Sequence, residues 1–352
     1  MLPLQRKKVA MAFPKWPTVT LNLWTLLVSS SLLCFVVYQL AVQKFKVELY
    51  EMGRQQRIHE LIQQSAPIDA SVIEELYQAI SSERLARIAN KFKEVYSLND
   101  PFPHITIDGI FPKRFLEEVL KENHESVGAN GCLAGAGKCF QERVQKKKSA
   151  IEEDDLMGLH TKILFSAMKS SNFIHFLEML TGIQDIIPDP HYRGSGIHLT
   201  ATGGNLNVHA DFNKYEAYQL DRRVNSFVFL NQDWPESYGG HLEFWTKDMG
   251  SCVQRILPVF GRFVVFSSTD FSYHGHPQPL STPEGRARRS LALYYYTNGR
   301  PANECLNGDC SGRGHSTLFQ RPVGCKICEE QTCKAYRDNE KLPYWEDSEA
   351  NT

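Results

Sequence analysis

Residues 205–213 read NLNVHADFN, and the stretches around them decide the fold class. Short segments rich in β-branched and aromatic residues lie before and after this stretch, separated by clusters of Gly, Pro and Asn. They are GIHLTAT at 196–202, NSFVFLN at 225–231, HLEFW at 241–245, VQRILPV at 253–259, GRFVVF at 261–266 and SLALYYYT at 290–297. Many short strands with such turns predict an antiparallel sandwich or barrel.

Helical patterns precede this strand-rich region. A strand-like HITID at 104–108 leads into FLEEVLKE at 115–122, and residues 156–183 carry two further helical patterns. Residues 124–155 are rich in Gly, Lys and acidic residues and are predicted to form a loop, in which the lysine run at 146–148 is typical of a solvated surface. The predicted fold class is therefore α+β, mainly β, with helices that buttress one face of the sheet.

His209 and Asp211 are one residue apart, so both side chains lie on the same face of an extended segment. Two imidazoles and one carboxylate can occupy one face of an octahedral Fe(II) and leave positions open for oxygen chemistry. His274 can supply the second imidazole from a distant strand, with His276 as its rival. Arg288 lies on a later strand, and its guanidinium fork can bind the carboxylate of an oxo-acid through two parallel hydrogen bonds.

Several ordered segments give these residues a context. RRVNSFVFLNQDW at 222–234, GGHL at 239–242, PVFGRFVVF at 258–266, HGHP at 274–277 and Arg288-x-Ser290 follow one another along the chain. Together with His209-x-Asp211 they resemble the iron- and 2-oxoglutarate-dependent dioxygenase superfamily, on the prolyl-hydroxylase-like side that includes prolyl 4-hydroxylase alpha-subunit type catalytic domains. The resemblance covers residues 190–298 and implies a double-stranded β-helix, which is a jelly-roll-like core.

The resemblance also implies roles for individual residues. His209, Asp211 and His274 match the iron ligands, and His274 is preferred over His276 because in the family the ligand is followed by Gly and shortly afterwards by Pro. Arg288 matches the residue that binds the distal carboxylate of 2-oxoglutarate, and Ser290 adds a hydroxyl on the same strand face. No further catalytic residue is predicted, and Arg289 is expected to be a surface charge.

The activity that the resemblance implies is hydroxylation of a peptidyl residue, with proline as the first choice, coupled to release of succinate and CO2. Fe(II) and 2-oxoglutarate are the expected cofactors, and ascorbate is expected to keep the iron reduced. Phe229 stands where these hydroxylases often have a tyrosine, so a different hydroxyl is expected to assist Arg288. Hydroxylation of another side chain or a small molecule, or a catalytically inactive membrane-tethered binding protein, are the alternatives.

The N-terminus predicts a membrane anchor. Residues 16–43 contain no charged side chain, and 21–42 read LNLWTLLVSSSLLCFVVYQLAV, about the length that spans a bilayer core. A signal peptide and a buried helix are the rivals. The expected organisation is a cytoplasmic tail at 1–20, a transmembrane signal anchor at 21–42, a helical stem or packing collar at 43–100, a dioxygenase domain at 101–300 and a Cys-rich extension at 301–352. This is a single-pass type II protein of the endoplasmic reticulum or Golgi with a lumenal catalytic domain.

Cysteines and charge complete the expectations. Eight cysteines lie outside the apolar segment, and in an oxidising lumen they predict disulfides, with zinc binding as the alternative for the C-terminal cluster. Cys132 and Cys139 bracket one plausible small disulfide loop. The formal net charge of −1 gives no basic bias toward nucleic acid. A peptide or protein substrate and the membrane are the expected partners, and the oligomeric state stays open.

Overall fold

The computed structural model describes residues 23–64, 68–123, 137–142, 144–310 and 312–320. The chain divides into two compact units, residues 1–51 and residues 52–352. The predicted cytoplasmic tail at 1–20 lies outside the described residues, as do Cys132, Cys325, Cys328 and Cys333.

The predicted membrane segment at 21–42 is helical from Leu23 onward, and the surroundings of its side chains are described only from residue 34. Within the part of the chain that is described, no helix is both long and apolar enough to cross a membrane. The structure therefore does not show the anchor, which stays a prediction.

The described residues contain six α-helices. These are α1 (Leu23–Gln64), α2 (Ala70–Ala79), α3 (Ser82–Leu98), α4 (Lys113–Glu122), α5 (Leu159–Met168) and α6 (Ser171–Thr181). Asp69 caps α2 by accepting a hydrogen bond from the backbone N–H of Ser71, and Ser170 caps α6 in the same way from Phe173. α6 ends at Gly182, whose φ of 74° is the left-handed conformation that commonly ends a helix.

In the described part of the chain, thirteen strands form one antiparallel sheet. They are β1 (His104–Ile107), β2 (Lys138–Gln141), β3 (Gln145–Ile151), β4 (Ile187–Pro188), β5 (Gly196–Ala210), β6 (Lys214–Tyr215), β7 (Leu220–Phe229), β8 (Leu242–Trp245), β9 (Cys252–Ile256), β10 (Phe263–Ser267), β11 (His274–His276), β12 (Arg288–Thr297) and β13 (Leu318–Phe319). The main strand order is β1-β10-β7-β12-β5-β11-β8-β9. The nearly closed antiparallel sheet with flanking helices fits the predicted jelly-roll.

The long strand β5 organises the site. Its N-terminal half pairs with β12, its C-terminal half pairs with β11 and β13, and β3 pairs with it from residue 197 to residue 206. Because directly opposite residues of antiparallel strands present their side chains on the same face, β5 brings residues from four other strands together.

Helices α2 to α6 bury their apolar faces in one core with the sheet. Leu85, Ile88 and Phe92 of α3 are buried in the same cluster as Val228 of β7 and Leu291 of β12. The helices α2 and α3 therefore pack against the sheet.

The structure corrects two expectations. Residues 138–141 and 145–151, predicted as loop, form the paired strands β2 and β3, and β3 also pairs with β5. Arg289, expected on the surface, is buried, and its Nε donates a hydrogen bond to the carbonyl of Asn123 at 2.8 Å. The lysine-rich β3 pairs with the distant strand β5, and Arg289 donates a hydrogen bond to the distant Asn123. The local sequence pattern reveals neither contact.

The expectation of disulfides is confirmed for three of the described cysteines. Cys305 and Cys310 form a disulfide, and Cys139 is also disulfide-bonded. Cys252 is buried, and its Sγ lies 3.3 Å from the carbonyl oxygen of Gln254.

Candidate metal and co-substrate site

The backbone register places two histidines side by side. His274 of β11 is directly opposite His209 of β5, and their ring centroids are 4.5 Å apart. Gly275 allows this close pairing, since a Cβ there would lie 2.9 Å from the carbonyl oxygens of Leu206 and Asn207. Asp211 follows directly after the end of β5 and completes the group. One ligand atom from each of His209, Asp211 and His274 lies within 4.8 Å of the others.

Both imidazoles are oriented by backbone carbonyls. His209 Nδ1 lies 2.8 Å from the carbonyl oxygen of Asn207, and His274 Nδ1 lies 2.8 Å from that of Ser272. A carbonyl only accepts, so each Nδ1 carries the proton and each Nε2 keeps its lone pair. Burial lowers the pKa of His274 to about 4, against the opposing effect of Asp211, so this ring is neutral at neutral pH. A neutral imidazole fixed through Nδ1–H is the form that binds a metal.

The carboxylate of Asp211 is held through one oxygen. Its Oδ2 accepts hydrogen bonds from Asn225 Nδ2 at 2.6 Å and from Arg222 Nη2 at 2.9 Å. Its Oδ1 lies 3.5 Å from His209 Nε2. Burial alone would raise the pKa of Asp211, but Arg222 and the two histidines outweigh it and hold the pKa well below its usual range. The carboxylate is thus ionised and oriented, with Oδ1 left for a cation.

His276 is close to this group but not part of it. It follows His274 by two residues on the same strand, is opposite Leu206 after a register shift, and is buried. Its Nδ1 has no hydrogen-bond partner among the described residues. Burial, reinforced by Arg288 and Lys148, lowers the pKa of His276 well below its usual range. The geometry favours His274 over its rival as the partner of His209 and Asp211.

Arg288 faces the same cavity from β12. It is opposite Thr200 of β5, and Ser290 is opposite His198. The Nε of Arg288 donates to the carbonyl of Gly240 at 2.7 Å, and its guanidinium lies 4.8 Å from the ring centre of Phe229. Gly240 is required here because its φ is +74° and a Cβ would lie 3.0 Å from Arg288 Cδ. Phe229 therefore packs against the guanidinium and gives it no hydroxyl.

A cavity of about 210 Å³ joins these groups. All predicted site residues line it, namely His209, Asp211, His274, Arg288 and Ser290. The lining residues that the sequence pattern missed include Lys148 of β3, Phe319 of β13 and Thr317, which lies directly before β13. Phe319 is opposite His209, and their ring centroids are 5.3 Å apart. Residues of the Cys-rich extension thus contribute directly to the site.

The family comparison agrees with this geometry. Residues 195–296 match the model of the 2OG-Fe(II) oxygenase superfamily. The chain carries a 2OG-Fe(II) oxygenase domain. The predicted enzyme class, a 2-oxoglutarate-dependent dioxygenase, is confirmed at this level. A search of curated protein sequences finds no match.

Solved structures that are similar to this chain include two prolyl hydroxylases. A prolyl hydroxylase from Trichoplax adhaerens, in complex with a hypoxia inducible factor peptide, is 20% identical, with a TM-score of 0.43, 61% of this chain covered and 91% of that chain. A Pseudomonas putida prolyl-4-hydroxylase is 19% identical, with a TM-score of 0.42, and the match covers 61% of this chain and 100% of that chain. HygX from Streptomyces hygroscopicus, with nickel, 2-oxoglutarate and hygromycin B bound, is 10% identical, with a TM-score of 0.40. The match covers 63% of this chain and 94% of that chain.

The residues of the oxygenase domain fit the two groups that the family name implies. Two imidazoles and one carboxylate are a donor set suited to Fe(II). Arg288 is a buried guanidinium for which the described residues provide no carboxylate partner, and burial lowers its pKa to about 9. A bound anion such as 2-oxoglutarate supplies the negative charge that this buried guanidinium needs.

Proposed function

We propose that the oxygenase domain hydroxylates a peptidyl residue, with proline as the first choice, and converts 2-oxoglutarate into succinate and CO2. In this proposal His209, Asp211 and His274 bind Fe(II), while Arg288 and Ser290 bind 2-oxoglutarate. The observation that carries the proposal is a single cavity that holds both the three-residue cluster and the buried Arg288.

Each group in the cavity has a defined task. His209 and His274 present Nε2 lone pairs because backbone carbonyls bind their Nδ1–H groups. Asp211 is kept in place by Arg222 and Asn225. Bound iron with 2-oxoglutarate and O2 supplies the oxidising chemistry, and the protein contributes orientation and exclusion of water.

The buried setting supports that contribution. Arg288 and Ser290 are 6% and 1% exposed, and the three residues of the metal cluster are buried as well. Phe319 shields His209 from one side. Such a setting strengthens the binding of an anionic co-substrate because water competes little for the guanidinium.

The choice of a peptidyl substrate rests on the prolyl-hydroxylase-like motifs of residues 190–298. Ascorbate as the reductant that maintains Fe(II) is part of the same proposal. The proposal also includes anchoring of the chain through residues 21–42 as a type II membrane protein, with the oxygenase domain in the lumen of the endoplasmic reticulum or Golgi.

Turnover of 2-oxoglutarate tests the activity without knowledge of the substrate. The full chain, supplied with Fe(II), ascorbate, O2 and 2-oxoglutarate, is expected to release succinate. Release should require Fe(II) and be lost in Asp211→Ala, whereas Asp248→Ala, which changes an exposed carboxylate in a loop, should behave like the wild type. Absence of both succinate and 2-oxoglutarate binding in the wild type would favour an inactive binding protein.

The substrate class is tested by mass spectrometry of secreted peptides from cells with the active chain and with Asp211→Ala. Peptides that carry one extra oxygen atom on proline only with the active chain support the proposal. The extra oxygen on another residue, or on a small molecule instead of a peptide, would replace proline as the target.

A further inference from the structure

The register of three strands aligns Lys148 with Arg288. Lys148 of β3 is opposite Thr200 of β5, and Thr200 is opposite Arg288 of β12. Opposite residues in antiparallel strands project from the same face of the sheet. All three line the cavity described above, so they form one row with Thr200 between two cationic side chains.

A local irregularity of β3 distinguishes Lys148 from its neighbours. The register shifts between Lys146 and Lys148, and Lys147 between them has a φ of 49°. Lys147 Nζ donates to the carbonyl of Thr202 at 3.2 Å, and Lys146 is exposed. Such irregularities re-aim side chains beside functional sites. Of the three consecutive lysines, only Lys148 lines the cavity.

The nearby carboxylates are already engaged by other cations. Asp211 pairs with Arg222, and Glu152, which also lines the cavity, pairs with Lys138. No salt bridge involves Lys148 among the described residues, and its Nζ lies 5.4 Å from the ring centre of Phe140. Burial lowers the pKa of Lys148 to about 8, although Asp211 and Glu152 oppose this. The ammonium group is thus available for an anion.

Neutral donors surround the same row. Thr200 contributes a buried hydroxyl, and Ser290 contributes another beside Arg288. His276, which is 4% exposed, has an Nδ1 without a partner among the described residues. Phe229 contributes no donor to Arg288. Within the described part of the chain, the cavity thus holds two cations without a carboxylate partner, and a dicarboxylate brings two negative charges.

We infer that Lys148 is a second binding residue for the co-substrate, and that it contacts the same distal carboxylate of 2-oxoglutarate as Arg288, across the hydroxyl of Thr200. This inference rests on the proposed function of the site. It assigns to Lys148 and Thr200 the assistance that Phe229 cannot give.

The test compares two ligands on the full chain loaded with Mn(II), with binding measured by isothermal titration calorimetry. 2-Oxoglutarate carries the distal carboxylate, and 2-oxopentanoate has a methyl group in its place. Lys148→Met is expected to weaken 2-oxoglutarate about tenfold or more, the value of a hydrogen bond to a charged group. It should change the affinity for 2-oxopentanoate less than about twofold, because that ligand lacks the carboxylate.

Three further variants sharpen the comparison. Lys146→Met removes an exposed lysine of the same strand and should leave both affinities unchanged. Lys148→Arg keeps the charge and should restore most of the 2-oxoglutarate affinity. Arg288→Met should weaken 2-oxoglutarate at least as much as Lys148→Met does. Thermal unfolding of each variant without ligand shows that the fold is retained.

Two results overturn the inference. The first is an unchanged 2-oxoglutarate affinity in Lys148→Met together with a weakened 2-oxoglutarate affinity in Arg288→Met. This result leaves the proposed function intact and indicates that Lys148 binds a carboxylate of the substrate instead. The second is an equal loss for both ligands, which places Lys148 at the carboxylate beside the metal. Failure of the wild type itself to bind 2-oxoglutarate would reject the proposed function and the inference together.

Discussion

Replacement of Asn225 by leucine tests how the metal cluster is held. Asn225 is fully buried, its Nδ2 donates to Asp211 Oδ2 at 2.6 Å, and its Oδ1 accepts from Arg222 Nε at 2.7 Å. Asn225→Leu keeps a similar volume but removes both hydrogen bonds. The carboxylate then loses one of the two donors that fix its orientation toward the cation.

The expected loss of metal affinity depends on the hydrogen bonds that Asp211 keeps in the variant. Loss of a residue that orients a metal ligand typically costs about 10- to 100-fold in metal affinity. Because Arg222 still binds Asp211 Oδ2 at 2.9 Å, we expect the lower end of that range, about tenfold, or about 1.4 kcal/mol. We also expect the free energy of unfolding to fall by about 1–3 kcal/mol, since the buried Arg222 Nε loses its acceptor.

The assay is titration with Mn(II), a redox-stable substitute for Fe(II), with free Mn(II) followed by electron paramagnetic resonance. The matched control is Ser226→Ala, the next residue of β7, which also removes one buried hydrogen bond, from Ser226 Oγ to the carbonyl of Leu293. That variant should lose stability without losing metal affinity. A dissociation constant of Asn225→Leu within about threefold of the wild type, or an equal loss in Ser226→Ala, would refute the reasoning.

Three more predictions concern other parts of the domain. His274→Ala should abolish Mn(II) binding, whereas His276→Ala should retain Mn(II) and weaken only 2-oxoglutarate; calorimetry with each ligand checks this, and the reverse result would exchange their roles. Burial lowers the pKa of His104 to about 4, so the unfolded chain binds a proton at this residue at a higher pH than the folded chain does. The free energy of unfolding should therefore fall by about 3 kcal/mol from this residue as the pH is lowered from about 6.5 to about 4. Urea unfolding at several pH values measures that loss, which His104→Phe should reduce. Replacing both Cys305 and Cys310 by serine opens a short loop and should lower the free energy of unfolding by about 2 kcal/mol, seen as a lower midpoint in urea; an unchanged midpoint would show that the disulfide does not stabilise the fold.

The sequence predicts the parts of the site that depend on local pattern. His209 and Asp211 share a face because strand side chains alternate, and this needs no knowledge of the rest of the fold. Arg288 and Ser290 follow the same rule on β12. The strands themselves were predictable because apolar segments and turn residues alternate along residues 190–298.

What the sequence could not show depends on pairing between distant strands. Lys148 belongs to a lysine run that is typical of a surface loop, yet β3 pairs with β5 and brings it to the cavity. Phe319 reaches His209 only because β13 pairs with the end of β5. The only local signal for β3 is the short apolar end of QKKKSAI at 145–151, and three lysines obscure it.

The orientation of Asp211 by Arg222 and Asn225 was also not predictable from spacing. Both residues lie on β7, and their side chains bind Oδ2 of Asp211, which follows the end of the distant strand β5.

The location of the metal ion tests the central claim most directly. Crystals of the chain grown with Mn(II) and 2-oxoglutarate, with data collected at the manganese absorption edge, would show the ion as an anomalous difference peak. The account predicts one peak bound by His209 Nε2, Asp211 Oδ1 and His274 Nε2, with 2-oxoglutarate extending from the ion to Arg288. A peak bound by His276 in place of His274, or no peak in this cavity, would contradict it.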